Sequence, residues 1–223
     1  MYKYLLFDAD NTLLDFDCAE RAAFHEAIEG YPIEYGEETY GTYHKMNKAE
    51  WLRLEKGETD FERLRVDRFV RFLEAYGCDG SQGAELSRTY EGRLATHAPL
   101  MPNAQRVLKD LSKKYDIYIV TNGITEVQKS RLSVSELLPY IKKCFISMEI
   151  GYSKPDRQFF ETVFQSVGDG DTENYLVIGD SLTGDIAGAY GCGVDSVWIR
   201  QGDIKDPRPR YTITDLSELL EIL

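Results

Sequence analysis

The sequence predicts an α/β protein: a parallel β-sheet with helices on both faces, interrupted after its first strand by an all-helical insertion. Three observations predict it. Short apolar runs alternate with helical stretches through the C-terminal half, the pattern of a parallel sheet. Val and Ile number only 4 in the 83 positions of residues 16–98 but 21 in the 125 of residues 99–223. Such β-branched residues favour strands, so the first block is helical and the second carries the sheet. One further apolar run, Tyr4-Leu-Leu-Phe7, stands ahead of the helical block and supplies a fifth strand.

Taken in order, the insertion has helical stretches over about 18–29, 38–56 and 82–96. Between the last two, Phe69, Phe72, Leu73 and Tyr76 follow the i, i+3, i+4, i+7 spacing of a helix face. Thr59 with Glu62 reads as a capping box opening that helix, and Gly77 as its stop. Gly30-Tyr-Pro32 and Gly77-Cys-Asp-Gly80 mark turns. Beyond Pro99 and Pro102, strands are predicted at 117–121, 144–147, 175–179 and 194–199, with helices over about 103–114, 125–138, 156–167 and 184–190 between them. The expected division is a core of residues 1–15 and 99–223 and a helical insertion of 16–98.

Length and charge bound the function. A chain of 223 residues can bury a full core. Its 38 acids against 26 bases give a net charge of −12. That surface repels phosphate backbones, so a nucleic acid polymer is not an expected partner. A site for a small anion would need its own local positive charge. Cys18, Cys78, Cys144 and Cys192 have neither metal-ligand nor redox spacing and read as reduced thiols. No apolar run is long enough for a signal peptide or a bilayer span, so a cytoplasmic protein with no membrane partner is expected. Monomer and dimer both remain open.

In open parallel sheets, ligands bind beyond the carboxyl ends of the strands. Just past the first strand come Asp8 and Asp10, and past the next Thr121-Asn122-Gly123. Ser153-Lys154-Pro155 lies near the end of the strand at 144–147, while Asp180-Ser181 and then Asp185 follow the strand at 175–179. Each of these alone is ordinary turn chemistry. Together they deliver four carboxylates, a hydroxyl and a lysine to one edge. Two like charges about 4 Å apart repel by about 4 kcal/mol at an effective dielectric near 20. A hard divalent cation removes that cost, and Mg2+ keeps several of its about six oxygen positions for water or a phosphate oxygen.

On these residues the chain resembles the haloacid dehalogenase-like (HAD) hydrolases. Their D-x-D-x-T motif stands here as Asp8-Ala-Asp10-Asn-Thr12, their Thr or Ser as Thr121, their Lys as Lys154, and their G-D-x-x-x-x-D as Gly179-Asp180 through Asp185. The resemblance implies a Rossmann-like core of strand order 5-4-1-2-3 with a helical cap, Mg2+ as cofactor and a small phosphate ester as substrate. It implies Asp8 as nucleophile, Asp10 as general acid and base, and Lys154 offsetting charge. Thr121 and the backbone around Asn122 would hold phosphoryl oxygens. Asp8, Asp180, the backbone carbonyl of Asp10, and Asp185, directly or through a water, would hold the metal.

A closer likeness, to bacterial pyrimidine 5'-nucleotidases of the YjjG type, rests on "FDADNTLLDFD", "MNKAEW", "TNGITEVQKSRL" and "ISMEIGYSKPD". It implies a nucleotide base as the group to be recognised by the cap. Phe16, Asn47 and Lys48 are the candidate selectivity residues: Phe16 to stack, Asn47 to bond a pyrimidine edge, Lys48 to assist the phosphate. Tyr40, Tyr43 and Trp51 are further aromatics there, with packing of the cap itself as the competing reading. Phosphatases of other small metabolites, such as phosphoglycolate or a sugar phosphate, and phosphomutases share the core motifs and stay open. Asp10 argues against a haloacid dehalogenase, which lacks the second aspartate. The long helical insertion argues against a phospho-receiver domain.

Overall fold

The computed structural model describes residues 2–200, 202–203 and 205–223. The chain divides into two compact units, residues 1–16 with 99–223, and residues 17–98. In chain order the elements are β1 (Tyr4–Phe7), α1 (Phe16–Ile28), α2 (Glu37–Glu55), α3 (Phe61–Ala75), α4 (Gly83–Leu94), α5 (Ala104–Leu111), β2 (Asp116–Thr121), α6 (Thr125–Val134), β3 (Lys143–Ile146), α7 (Ser147–Ile150), α8 (Arg157–Val167), β4 (Tyr175–Gly179), α9 (Ala187–Cys192), β5 (Asp195–Ile199), β6 (Tyr211–Ile213) and α10 (Leu219–Ile222).

The strands form one parallel sheet in the order β3-β2-β1-β4-β5-β6. The five expected strands take the implied order, and β6 extends it. Sequence reading missed β6 because it is three residues long and flanked by turns; it exists by pairing with Val197, Trp198 and Ile199. In the register, Phe7 lies opposite Ile119 on one side and Ile178 on the other. The carboxyl ends of β1, β2 and β4 are therefore level. Leu6, Val120 and Val177 from β1, β2 and β4 pack in one cluster with Phe159, Phe160 and Val163 of α8. Segments 13–16 and 99–101 lie side by side in this unit: Asp15 N donates to the Pro99 carbonyl and Met101 N to that of Leu13, both at 2.9 Å.

The all-helical unit has its own core. Phe24 stacks on Tyr43 at 4.2 Å and 7°, and Tyr43 on Phe69 at 5.2 Å. Glu20 is fully buried there. It accepts from Tyr40 Oη at 2.9 Å and Asn47 Nδ2 at 2.5 Å, and lies 2.6 Å from His44 Nδ1. Asn47 Oδ1 accepts from buried Arg68 at 2.6 Å. A buried carboxylate persists only with such partners. Asn47, expected to offer its amide to a base, is thus engaged at both ends by Glu20 and Arg68 and braces the unit. Lys48 is exposed. Tyr40 and Tyr43 are buried, and Trp51 packs edge-on to Phe61. Among the described residues, no helix is long and apolar enough to cross a membrane.

Two local expectations are corrected. Helix α6 ends at Val134 and not near 138. Ser135 is extended at ψ 150°, and its Oγ donates to the Leu132 carbonyl, so its side chain competes with the helix for a backbone acceptor. Helix α3 is capped by Asp60, whose carboxylate accepts from Arg63 N at 2.8 Å, and not by Thr59. The side chain of Thr59 has its hydroxyl buried without a partner. Gly77 follows α3 at φ 70°, as a helix stop should. Asp60→Ala is expected to lower the unfolding free energy by about 1 kcal/mol and Thr59→Ala by less than about half of that, measured by urea unfolding.

Candidate active site

At the end of β1 the chain turns sharply. Asp8 N still donates to the Ile178 carbonyl at 2.8 Å, so Asp8 stays on the strand line. Asn11 then adopts the left-handed region at φ 56°, which Asn tolerates better than most residues. The amides of Leu13 and Leu14 both return to the Ala9 carbonyl, at 2.9 and 2.8 Å. This closed loop sends the side chains of Asp8 and Asp10 to different neighbours.

Asp8 meets Lys154. The lysine Nζ donates to Asp8 Oδ1 at 2.6 Å, Asp185 Oδ1 at 2.6 Å and the Val120 carbonyl at 2.8 Å. An ammonium has three donors, and all three are used. The backbone of Lys154 is held in turn by Asn122: Nδ2 donates to its carbonyl and Oδ1 accepts from its amide, each at 2.9 Å. The Asn122 side chain is committed to that clasp, which leaves any phosphoryl role to its backbone. The neighbouring Gly123 N donates to Ser147 Oγ at 3.1 Å.

Beyond β4, a Cβ on Gly179 would lie 2.2 Å from Asp185 Oδ2, so only glycine lets Asp185 fold back over the strand end. Residues Leu182–Ile186 form a single π-helical turn, a feature common at functional sites. Ser181 Oγ accepts from Gly184 N at 2.9 Å, and Ser181 N donates to Asp185 Oδ2 at 3.1 Å. The Trp198 indole donates to the Asp180 carbonyl at 2.9 Å, tying that turn to β5.

Asp8, Asp180 and Asp185 each place a carboxylate oxygen within 4.8 Å of the others. Three acids face one ammonium, and the imbalance shows in their protonation. Burial pushes the Asp8 carboxyl well above its usual range; Lys154 opposes this, and Asp185 and Asp180 add to it. Asp180 is pushed up to about 7, by burial first and by Asp185 second. Burial works against the charge on Lys154, but Asp185 and Asp8 outweigh it and hold its proton more tightly than usual. An all-oxygen donor set with surplus negative charge fits a hard divalent cation such as Mg2+.

Asp10, grouped with these acids in the sequence, is not one of the three. Its Oδ1 accepts from Arg131 Nη1 at 2.5 Å and its Oδ2 from Gln128 Nε2 at 2.9 Å. Gln128 Nε2 also donates to Thr121 Oγ1 at 2.8 Å, and Gln128 Oε1 accepts from Arg131 Nη1 at 3.0 Å. Gln128 is 3% exposed and Arg131 fully buried. Gly123 makes room for this: a Cβ there would meet Gln128 Cγ at 2.7 Å. Phe16 is half-buried, its ring centroid 5.5 Å from the Arg131 guanidinium carbon, a cation–π arrangement.

Sequence reasoning gave Gln128 and Arg131 no role. A signal was present. Positions 124, 127, 128, 131 and 132 form the i, i+3, i+4, i+7, i+8 stripe that a helix buries, and all five are buried. Two polar residues inside such a stripe require partners.

The chain matches the family model of the haloacid dehalogenase-like hydrolases over residues 2–193. It is 34% identical to the HAD-hydrolase YfnB of Bacillus subtilis, over 100% of this chain and 95% of that protein. It is 35% identical to the pyrimidine 5'-nucleotidase PynA of Streptococcus pneumoniae over the same shares, 100% and 95%. The pyrimidine 5'-nucleotidase YjjG of Escherichia coli is 26% identical over 100% of this chain and 98% of its own length. The crystal structure of magnesium-bound YfnB superposes with a TM-score of 0.92 at 35% identity, covering 100% of this chain and 98% of that one.

The raised Asp180 gives a pH test. Its carboxyl binds a proton more tightly folded, at about 7, than unfolded, at its ordinary 3.8. Folded-state stability from this group is therefore present at acid pH and lost as pH rises through about 7. In EDTA, the wild-type protein is expected to lose on the order of 3 kcal/mol relative to Asp180→Asn between pH 5 and pH 8, by urea unfolding. Millimolar Mg2+ at pH 8 is expected to reverse that loss. A pH-independent difference between the two proteins would contradict the electrostatic account.

Proposed function

The chain belongs to the haloacid dehalogenase-like hydrolases, and on that footing we propose that it is a Mg2+-dependent phosphomonoesterase acting through an aspartyl-phosphate, with pyrimidine nucleoside 5'-monophosphates as its substrates. The observation that carries this reading is the separation of two aspartates two positions apart. Asp8 sits among Asp180, Asp185 and Lys154; Asp10 faces Arg131 and Gln128. That separation supports a reading in which Asp8 attacks and Asp10 moves protons.

Asp8 attacks phosphorus: its Oδ–P bond forms as the ester P–O bond breaks, and Asp10 gives its proton to the leaving oxygen. In the second half, a water adds to phosphorus, the Asp8–phosphorus bond breaks, and Asp10 takes the proton of that water. Lys154, already against Asp8, lowers the charge that the incoming phosphate meets. The Thr121 hydroxyl and the backbone at Asn122, at the carboxyl end of β2, hold phosphoryl oxygens. Asp8, Asp180 and the Asp10 carbonyl would hold Mg2+ directly. Asp185, with one oxygen on Lys154 and the other on Ser181 N, would hold it through a water. When bound, Mg2+ neutralises the acid cluster and polarises the phosphoryl group.

The core side chains read only phosphate and metal, so selectivity falls to other residues. Support for a pyrimidine nucleotide comes from PynA and YjjG, both named pyrimidine 5'-nucleotidases. From this chain Phe16 is the candidate contributor, half-buried with its ring beside Arg131, which pairs with Asp10. With Asn47 engaged by Glu20 and Arg68, any base-edge role for it would require opening that network. Lys48, exposed, remains available to an anion. Cytoplasmic location and a small-molecule phosphate ester as partner complete the proposal.

Asp8→Asn and Asp10→Asn are each expected to reduce turnover by roughly 10³-fold or more without unfolding the protein, and EDTA to abolish it. Full activity of either variant would refute the mechanism. Stacking of a base is worth about 1–3 kcal/mol, so kcat/KM for UMP, dUMP and dTMP is expected to exceed that for phosphoglycolate and hexose phosphates by about tenfold or more. The opposite order would refute the substrate and leave the phosphatase standing.

A further inference from the structure

We propose that Gln128 and Arg131 are positioning residues for proton transfer: a two-residue clamp on α6 that fixes the Asp10 carboxylate at the leaving-group oxygen and aims the Thr121 hydroxyl at the phosphoryl group. The proposal rests on the phosphomonoesterase reading and deepens it.

The hydrogen-bond inventory determines the clamp. Arg131 is donor-only and fully buried, so Gln128 must turn its oxygen toward Arg131 Nη1. That choice sets the amide: its NH2 group faces the two remaining acceptors, Asp10 Oδ2 at 2.9 Å and Thr121 Oγ1 at 2.8 Å. One NH2 group has two hydrogens, one for each. Because Thr121 Oγ1 accepts from Gln128, its own hydrogen is left to point elsewhere. The acceptor it has here is the Asn122 carbonyl at 3.5 Å, the limit of a hydrogen bond, and a phosphoryl oxygen is a better one. The same amide therefore sets the direction of the phosphate-facing hydroxyl.

Asp10 is held by one donor on each oxygen, Arg131 Nη1 on Oδ1 and Gln128 Nε2 on Oδ2. A carboxylate has about four lone-pair sites, so this grip fixes its plane and leaves one site on each oxygen. The free site carries the proton that Asp10 passes to the leaving oxygen as the P–O bond breaks and takes back from the attacking water. A carboxylate that could rotate would spend much of its time out of line with that oxygen, and proton transfer is sensitive to such misplacement. The clamp is itself anchored. Gly123 admits Gln128 against the β2–α6 turn, and the Phe16 ring lies 5.5 Å from the guanidinium carbon.

Two losses follow, with different signatures. Removing Arg131 takes a donor from Asp10 and from Gln128 Oε1, but Asp10 Oδ2 and Thr121 Oγ1 still hold the Gln128 NH2 group, so the damage depends chiefly on whether the leaving group needs a proton. Removing Gln128 frees Asp10 and Thr121, adding a loss common to all esters. The experiment measures kcat/KM in Mg2+ for two alkyl esters, UMP and glycerol 3-phosphate, and for p-nitrophenyl phosphate, whose phenolate leaves without a proton. The proteins are wild type, Arg131→Met, Arg131→Lys and Gln128→Met, with thermal unfolding of each. For Arg131→Met, the alkyl esters are expected to fall by about 30-fold or more and the aryl ester by less than about threefold. Arg131→Lys keeps a charged donor and is expected to recover part of the alkyl-ester rate. Its alkyl-to-aryl ratio still reads the clamp if the Met variant does not fold. Gln128→Met is expected to slow all three esters, the alkyl ones more.

Equal losses on both ester classes in the Arg131 variants would show a merely structural role and overturn the proposal, as would undiminished alkyl-ester rates. An aryl-ester rate unchanged in Gln128→Met would overturn the Thr121 arm. Wild-type turnover separates the two readings: if the unaltered protein hydrolyses none of the esters, the phosphatase reading fails and the clamp fails with it. If it hydrolyses glycerol 3-phosphate but not UMP, only the nucleotide substrate fails and the clamp is still tested.

Discussion

The arrangement at the sheet edge depends on one ammonium. Lys154 reaches the ends of β1 and β2 and the turn after β4 at once, through Asp8, the Val120 carbonyl and Asp185. Level strand ends bring the acids together, and without that ammonium the cluster would be three carboxylates in a largely buried space. Even with it, Asp8 and Asp180 hold protons far more readily than carboxylates in water. A buried ion pair of this kind adds little net stability, because desolvation offsets most of the attraction. Its effect is positional: three separate loops are referred to one point. Asn122 completes the arrangement by fixing the backbone that carries the lysine.

From that constraint the division between the two aspartates follows. The donors of Lys154 are all taken by Asp8, Asp185 and the Val120 carbonyl, with Asp180 beside the two acids, and a fourth carboxylate there would add repulsion with no cation to meet it. The left-handed turn at Asn11 lets the chain reverse directly after Asp10, and the carboxylate finds its own cation, Arg131, on helix α6. Two acids separated by one alanine therefore sit in two electrostatic environments. Environment, not sequence position, assigns chemically identical side chains to different roles.

Much of this was legible in the chain. The scarcity of Val and Ile over 16–98 located the helical unit, and short apolar runs followed by Asp, Thr or Lys located the strand ends. Those signals are local: a β-branched residue or a strand-end aspartate carries its meaning without its neighbours in space. What was missed depends on tertiary partners. β6 is three residues that become a strand only beside β5. Thr59 and Asp60 are both good caps by type, and the choice between them is made by backbone geometry at one residue. Asn47 looked like an open amide because nothing in its surroundings reveals that Glu20, twenty-seven residues earlier, and Arg68, twenty-one later, take both of its ends. Gln128 and Arg131 went unread: their place in the stripe that α6 buries can signal burial but not what they hold.

The all-helical unit uses its buried polar groups on one another. Glu20, Tyr40, Asn47 and Arg68, with half-buried His44 at the margin, form one connected network in the unit that holds the stack of Phe24, Tyr43 and Phe69, and a buried network is stable only when its members stay paired. Side chains committed in this way are poorly suited to reading a substrate, since each contact made outward must first be broken inward. Phe16 differs: it belongs to the core unit, its amide donates to Asn11 Oδ1 at 3.1 Å, and its ring lies beside Arg131, which holds Asp10. A ring seated there is coupled through one guanidinium to Asp10 and through one backbone hydrogen bond to Asn11 in the turn after β1. On the proposed mechanism, a substrate group that touched that ring would act on Asp10 through Arg131, a physical link between recognition and proton transfer that the core motifs alone do not provide.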